Sequence, residues 1–263
     1  MDRIADAFSI AANERRSCFL SYVCAGDPSF EVSLRICKFL AESPVDIMEI
    51  GVPFSDPLAD GLTNQLAAQR ALDGGADHSH VFELIRLLRK QTEKPIVIYT
   101  YYNLIFAKGI EEYVRVAKDA GVDGILTLDL PPEEAKDLLV ACRDVDLKNI
   151  FIVAPTTPKN RIRLIAEAAS GFIYYVSREG VTGEREKLSG NIGRAVAEIK
   201  EISDLPVAVG FGISTPDHVR TISEVADGFV VGSALVNCIS SDPSDPNQIL
   251  GNLSKKLAYL LEN

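Results

Sequence analysis

The sequence predicts an α/β protein folded as a (β/α)8 TIM barrel, on three observations. Eight short apolar runs recur along 263 residues, segments of helical spacing separate them, and the runs are apolar at consecutive rather than alternating positions. Consecutive apolarity suits parallel strands covered on both faces, and eight βα units in roughly 250 residues is the usual size of such a barrel.

In order the runs are CFLSYV (18–23), VDIMEI (45–50), PIVIYT (95–100), VDGILTL (122–128), NIFIVA (149–154), GFIYYV (171–176), PVAVGF (206–211) and DGFVVG (227–232). Helical spacing marks FEVSLRICKFLAE, VFELIRLLRK, GIEEYVRVAKDA, PPEEAKDLLVACR, NRIRLIAEAA and IGRAVAEIKEI, several opening on Pro, Asp or Glu as helix starts do. An extra helix is expected at the N-terminus, and ILGNLSKKLAYLLEN is expected as a last amphipathic helix after the turn-rich SSDPSDPNQ. No linker or second composition class interrupts residues 1–263, so one domain is expected. The alternative, an open doubly wound sheet, would carry a glycine-rich turn after its first strand, whereas the glycines here cluster late, at 180, 183, 210, 212 and 232.

With 27 Lys and Arg against 37 Asp and Glu, the net charge of -10 repels phosphate backbones and anionic membranes. Neither nucleic acid nor membrane is an expected partner, and any anion must be held by a local site. The five cysteines form no C-x-x-C pair, which fits a reducing cytoplasm. The N-terminal segment MDRIADAFSIAANERRS lacks the unbroken apolar core of a signal peptide, and no run approaches the ~18 apolar residues of a membrane span, so a soluble, unprocessed chain is expected.

Chemistry is sought at the strand C-terminal ends, the working face of a parallel barrel. In DIMEI, Ile47 and Glu49 point to one side and Met48 and Ile50 to the other, which leaves a carboxylate beside apolar neighbours. Left unpaired there, it would hold its proton near neutral pH and serve as an acid; reaching water or capping a helix, it would not. Asp56 and Asp60, in SDP and ADG, admit both a functional reading and a turn reading in which the side chain bonds its own backbone. Glycines in REGVTGER, GFGIST and VGSALV follow the last three runs, where backbone N–H groups and a short helix N-terminus can cradle phosphate, with Ser233 adding a hydroxyl. His78, His80 and His218 form no usual metal set, and no metal is expected. Cys24 lacks an evident His partner and reads as a core thiol. The string YTYYN (99–103) ends the third strand and serves either as pocket wall or as packing.

These residues carry a resemblance. MEIGVPFSDPLADG, YYN, DLPPEE, YYVSREGVTG, GFGIS and VGSALV match, in order and spacing, the motifs of the tryptophan synthase alpha chain family. The resemblance implies a TIM barrel that cleaves indole-3-glycerol phosphate by a retro-aldol step to indole and D-glyceraldehyde 3-phosphate. It implies Glu49 as the acid/base at the indole ring carbon, Asp60 at the indole nitrogen, and Tyr174 steadying substrate near the glutamate. Gly183, Gly212, Gly232 and Ser233 match the phosphate site, while Phe211, Leu126 and Tyr101 would pack on the indole. It further implies an α2β2 complex in which the β chain holds pyridoxal phosphate and receives indole through a tunnel, so this chain would need no cofactor. Residues 53–60, with Pro53, Asp56 and Pro57, would touch that partner. Residues 178–188 would close over substrate, with Thr182 holding Asp60. Leu62, Asn64, Leu66, Ala68 and Glu179 depart from the family pattern. Asn64 places an amide where an apolar side chain would line the indole pocket, which keeps open a weakly active chain that serves mainly as an allosteric activator of the β enzyme. Another phosphate-binding barrel would explain the glycine loops but not the six ordered motifs.

Overall fold

A computed structural model describes residues 2–176, 185–210 and 212–262, with the side chains of 185–190 left out. The strands are β1 (Cys18–Cys24), β2 (Ile47–Gly51), β3 (Ile96–Thr100), β4 (Gly124–Thr127), β5 (Lys148–Val153), β6 (Ile173–Val176), β7 (Val207–Gly210) and β8 (Gly228–Val231). They pair in parallel in chain order, and β8 returns to β1 to close the barrel. Every residue of β1, β2, β4, β7 and β8 is buried, which is why their sequences are apolar on both faces save for Ser21, Glu49 and Thr127.

The helices are α1 (Arg3–Asn13), α2 (Phe30–Glu42), α3 (Leu62–Asp73), α4 (His78–Arg89), α5 (Tyr102–Lys108), α6 (Ile110–Ala120), α7 (Lys136–Asp144), α8 (Lys159–Ala168), α9 (Arg185–Lys200), α10 (Pro216–Ser223), α11 (Ser233–Ser240) and α12 (Pro246–Leu260). Three differ from the sequence expectation. PPEEAKDLLVACR divides into a short 3-10 turn at Pro132–Glu134 and α7. The third strand stops at Thr100, and Tyr102 and Asn103 open α5 instead of extending it. Helix α3 buries only Ala67, Ala68 and Ala71, so its inner face carries no large apolar residue to mark the period.

Alternation along each strand sorts the interior into two cores. Met48, Ile50, Ile96 and Ile98 face the helices in the outer cluster. Leu20, Ile47, Val97, Leu126 and Ile150 point inward, stacked on Ile4 and Phe8 of α1. Two strand-start glycines admit that helix. A Cβ on Gly124 would lie 3.2 Å from Ile4 Cδ1 and 2.7 Å from Ile150 Cδ1, and one on Gly228 would lie 3.0 Å from Phe8 Cε1. The expected N-terminal helix therefore stops the N-terminal end of the barrel.

Around this base, carboxylates just before strands bind an N–H at the start of a neighbouring strand. Asp46 accepts from Phe19 N at 2.8 Å, Asp123 from Ile96 N at 2.9 Å, and Asp227 from Val207 N at 2.8 Å. Each also meets a cation: Arg16 on Asp46, Arg3 and Arg89 on Asp123, Lys200 on Asp227. Charge-assisted bonds of this kind fix strand ends that apolar packing alone would let slide. Among the described residues no helix is long and apolar enough to cross a membrane.

Candidate active site

At the opposite end the inward positions become polar. Glu49 sits two residues beyond Ile47 on the same face of β2, level with Tyr22 of β1 and Val97 of β3. It is fully buried, and neither carboxylate oxygen has a hydrogen-bond partner among the described residues. Burial disfavours the charged form and raises this carboxyl to about 8. Glu49 is therefore the unpaired acid of the two sequence readings, rather than a hydrated or capping one.

Glu49 lines a cavity of about 370 Å³ at the barrel mouth, together with Asp60, Tyr174, Gly212, Gly232 and Ser233. Tyr22, Tyr99 and Asn64 complete its polar wall, and Leu128 and Ile152 supply aliphatic surface. Two glycines make room for the aromatic rings. A Cβ on Gly210 would lie 2.5 Å from Tyr174 Oη, and one on Gly51 would lie 2.5 Å from Tyr22 Oη. The tyrosines can lean across the axis only because those neighbours have no side chain.

Asp60 ends the loop after β2. Its Oδ1 accepts from Tyr99 Oη at 2.8 Å and Asn64 Nδ2 at 3.3 Å, and its Oδ2 accepts from Tyr101 Oη at 2.6 Å. Tyr101 Oη in turn accepts from Ala59 N at 3.0 Å. Tyr99 and Tyr101, two apart, thus reach the same loop from the end of β3. Burial and the Asp60 carboxylate push both phenols upward, so they remain donors. The turn reading of Asp60 gives way to one in which its side chain faces three donors.

The far wall suits an anion. Gly212 has φ +57°, a conformation that glycine adopts without strain, and nothing lies within 4 Å of where its Cβ would be. Gly232 precedes α11 with no side-chain cap, so among the described residues only the N–H groups of Ser233 and Ala234, ahead of the Leu235 bond to Gly232 O, are left without an intrahelical or capping acceptor. Backbone dipoles supply the positive potential that an acidic chain otherwise lacks.

Several expectations need correction. Leu126 is fully buried in the inner core beneath the mouth and does not line the cavity; Leu128, two residues on, does. Tyr101 is likewise absent from the lining and reaches the site through Asp60. Pro53 is buried inside this chain and so presents no outer surface; Pro57 is half-buried and Asp56 exposed. Ala68 packs with Tyr22, Cys24 and Val236 beneath α3, where a polar side chain would be stranded. Thr182, Gly183, Phe211, Arg178 and Glu179 lie outside the described residues. Tyr22 went unnoticed in the sequence, although its i+2 spacing from an inward Leu20 placed it on the inner face. Cys24 is buried, with burial raising its thiol, as a core residue. His80 and Asp77 form a capping box on α4.

The model of the family described as tryptophan synthase alpha chain matches residues 8–261. A tryptophan synthase alpha chain from Opitutus terrae is 58% identical over 254 residues, covering 97% of this chain and 96% of that one. A Pyrococcus furiosus structure, described in terms of mutual activation of the tryptophan synthase α2β2 complex, superposes with TM-score 0.87 at 38% identity, covering 93% of this chain and 97% of that chain. A chain of Mycobacterium tuberculosis tryptophan synthase in its aminoacrylate-bound form gives TM-score 0.88 at 30% identity, covering 99% and 98%. The chain belongs to the tryptophan synthase alpha chain family.

Proposed function

We propose that the chain cleaves indole-3-glycerol phosphate to indole and D-glyceraldehyde 3-phosphate, with Glu49, Asp60 and Tyr174 as its catalytic residues. The observation that carries the assignment is the fully buried Glu49, with no partner on either oxygen among the described residues and its carboxyl raised to about 8. Such a group holds a proton at neutral pH and can deliver it to C3 of the indole ring. The ring C3 then bears four bonds and the nitrogen carries the positive charge, which the Asp60 carboxylate stabilises through the ring N–H. Glu49, now anionic, takes the proton of the side-chain hydroxyl. The carbon–carbon bond breaks, its electron pair returns to the ring, and the hydroxyl carbon becomes the aldehyde.

Gly212, Gly232 and Ser233 hold the phosphate at the α11 N-terminus, and from the resemblance Gly183 joins them, while Phe211 packs on the indole and Thr182 holds Asp60. Tyr174 crosses the mouth beside Glu49 and keeps the ring in place. The chain needs no cofactor for this proton chemistry; pyridoxal phosphate belongs to the β chain, its partner in an α2β2 complex. Leu58, Leu62 and Leu66 expose 92%, 69% and 50% of their surface along the loop and α3. With Pro57 they offer exposed apolar surface to that partner, and Asp56 adds a charge beside it. A cytoplasmic setting follows from this reading and from the free cysteines.

The test is indole release from indole-3-glycerol phosphate, measured alone and with a β partner, for the native chain and Glu49→Gln. The lyase assignment expects release by the native chain and its collapse in the variant. Asn64 in the pocket wall favours one second reading, a chain that mainly activates the β enzyme. Undetectable release in both settings, with β activity still raised, would establish that reading instead.

A further inference from the structure

Asp60 is bound more closely than an acceptor for one ring N–H requires. An ionised carboxylate offers about four acceptor directions. Among the described residues three are taken: two on Oδ1, by Tyr99 Oη and Asn64 Nδ2, and one on Oδ2, by Tyr101 Oη. Among the described residues one direction is left, on Oδ2.

We propose that Tyr99 and Asn64 are positioning residues that saturate Oδ1 of Asp60 and so reserve its Oδ2 for the ring N–H of an indole-type substrate. The inference rests on the lyase reading and deepens it. Asn64 carries the stronger signal. Its Nδ2 faces the carboxylate, as charge demands, and this leaves its Oδ1 buried without a donor among the described residues. A side-chain amide with an orphaned oxygen is costly, and the arrangement is kept where its N–H₂ end has a charged acceptor to serve. Substituting an apolar side chain there would free one direction of Oδ1 and let the carboxylate turn.

Tyr99 fixes the other side. Its ring stands edge-on to Tyr22 at 4.8 Å, which prevents it from swinging away, and its hydroxyl meets Oδ1 at 2.8 Å. Tyr101 differs, because its hydroxyl also accepts from Ala59 N and so clasps the loop as a whole. Neither Tyr99 nor Asn64 donates to Glu49, and both line the cavity, so the double variants with Asp60→Asn separate an effect through Asp60 from direct contact with substrate.

The test uses the complex with its β partner. Rates of indole release are compared for the native chain, Tyr99→Phe, Asn64→Leu and Asp60→Asn, and for each of the first two combined with Asp60→Asn. Misplacing a reacting group by about 1 Å can cost roughly 10²-fold, so each single variant is expected to lower kcat about tenfold with KM changed far less. In the Asp60→Asn background the same substitutions should change nothing further. A second measurement needs no turnover: equilibrium binding of indole-3-propanol phosphate against its benzothiophene counterpart, which lacks the ring N–H. The native chain should prefer the N–H form, and Tyr99→Phe and Asn64→Leu should erode that preference. Native kcat in both single variants overturns the inference, as do equal losses with and without Asp60 or an unchanged ligand preference. Native activity in Asp60→Asn instead removes Asp60 itself from the proposed mechanism, a separate result that takes this inference with it.

Discussion

The two ends of the barrel use the same kind of side chain in opposite ways. At the base, Asp46, Asp123 and Asp227 each bind a strand N–H and a cation. At the mouth, Glu49 binds nothing among the described residues. Surrounded by donors, a carboxylate ties strands together, whereas Glu49, deprived of them, keeps its proton and can give it away. The comparison implies that stability and reactivity are separated along the barrel axis, a division that mutations at either end can test.

The largest effect is expected at the mouth. Glu49→Gln should reduce indole release by ~10²–10⁴-fold while leaving the folded state intact. Circular dichroism and kcat, taken on the same sample, would break the comparison if they fell together. Gly210→Ala should follow, since its new methyl meets Tyr174 Cε1 and Oη at 2.5 Å. Displacing that ring is expected to lower kcat by at least about tenfold and to cost about 1–3 kcal/mol in urea unfolding. At the base, Asp123→Ala leaves the Ile96 N–H without its acceptor and strips Arg89 of its carboxylate partner, so that backbone carbonyls of Thr92, Lys94 and Gly121 alone hold it, and should cost about 3 kcal/mol. The kcat per folded molecule should stay native; a loss of turnover there would contradict the separation.

A pH comparison sharpens the same point. Glu49 has its carboxyl raised from 4.5 to about 8 in the folded chain, so the folded state binds more protons than the unfolded one between those values. Its contribution to stability is therefore fully present below about 4.5 and is lost as pH rises through about 8. Glu49→Gln, which cannot ionise, should gain in melting temperature relative to the native chain from pH 5 to pH 9. A difference independent of pH would show that Glu49 is not buried as a proton donor. The smallest effect is expected from Ser233→Ala, which removes one hydroxyl from a site built mainly of backbone donors. It should raise KM for indole-3-glycerol phosphate a few-fold, about 1 kcal/mol, with kcat near native.

The eight strands were legible because a barrel strand is apolar on both faces and needs no alternation to be seen. The inward position of Glu49 followed from its spacing to Ile47, and its lack of partners completed that inference in three dimensions. Helix α3 was harder to see, because alanines bury against Tyr22 and Cys24 without producing an amphipathic pattern. The surroundings of Asp60 could not be read from the chain, since Tyr99 lies 39 residues away and only the parallel pairing of β2 with β3 brings it beside the loop after β2. The same limit applies to Leu126 and Leu128. Which of two leucines on one face meets substrate depends on how high each stands in the barrel, and the sequence period does not encode height.

The helix that stops the base has a consequence for traffic. Ile4 and Phe8 lie under the inward layer of Leu20, Ile47, Val97 and Leu126, leaving the barrel axis solid below the reaction centre. Among the described residues the floor is closed by apolar packing and the cavity opens at the mouth, so substrate enters where product leaves. On the proposed reading, a small apolar product formed against Glu49 leaves by the rim, the end at which the loop after β2 and the start of α3 expose Leu58 and Leu62. Delivery to a neighbour seated on that rim is thus built into the architecture before any neighbour arrives.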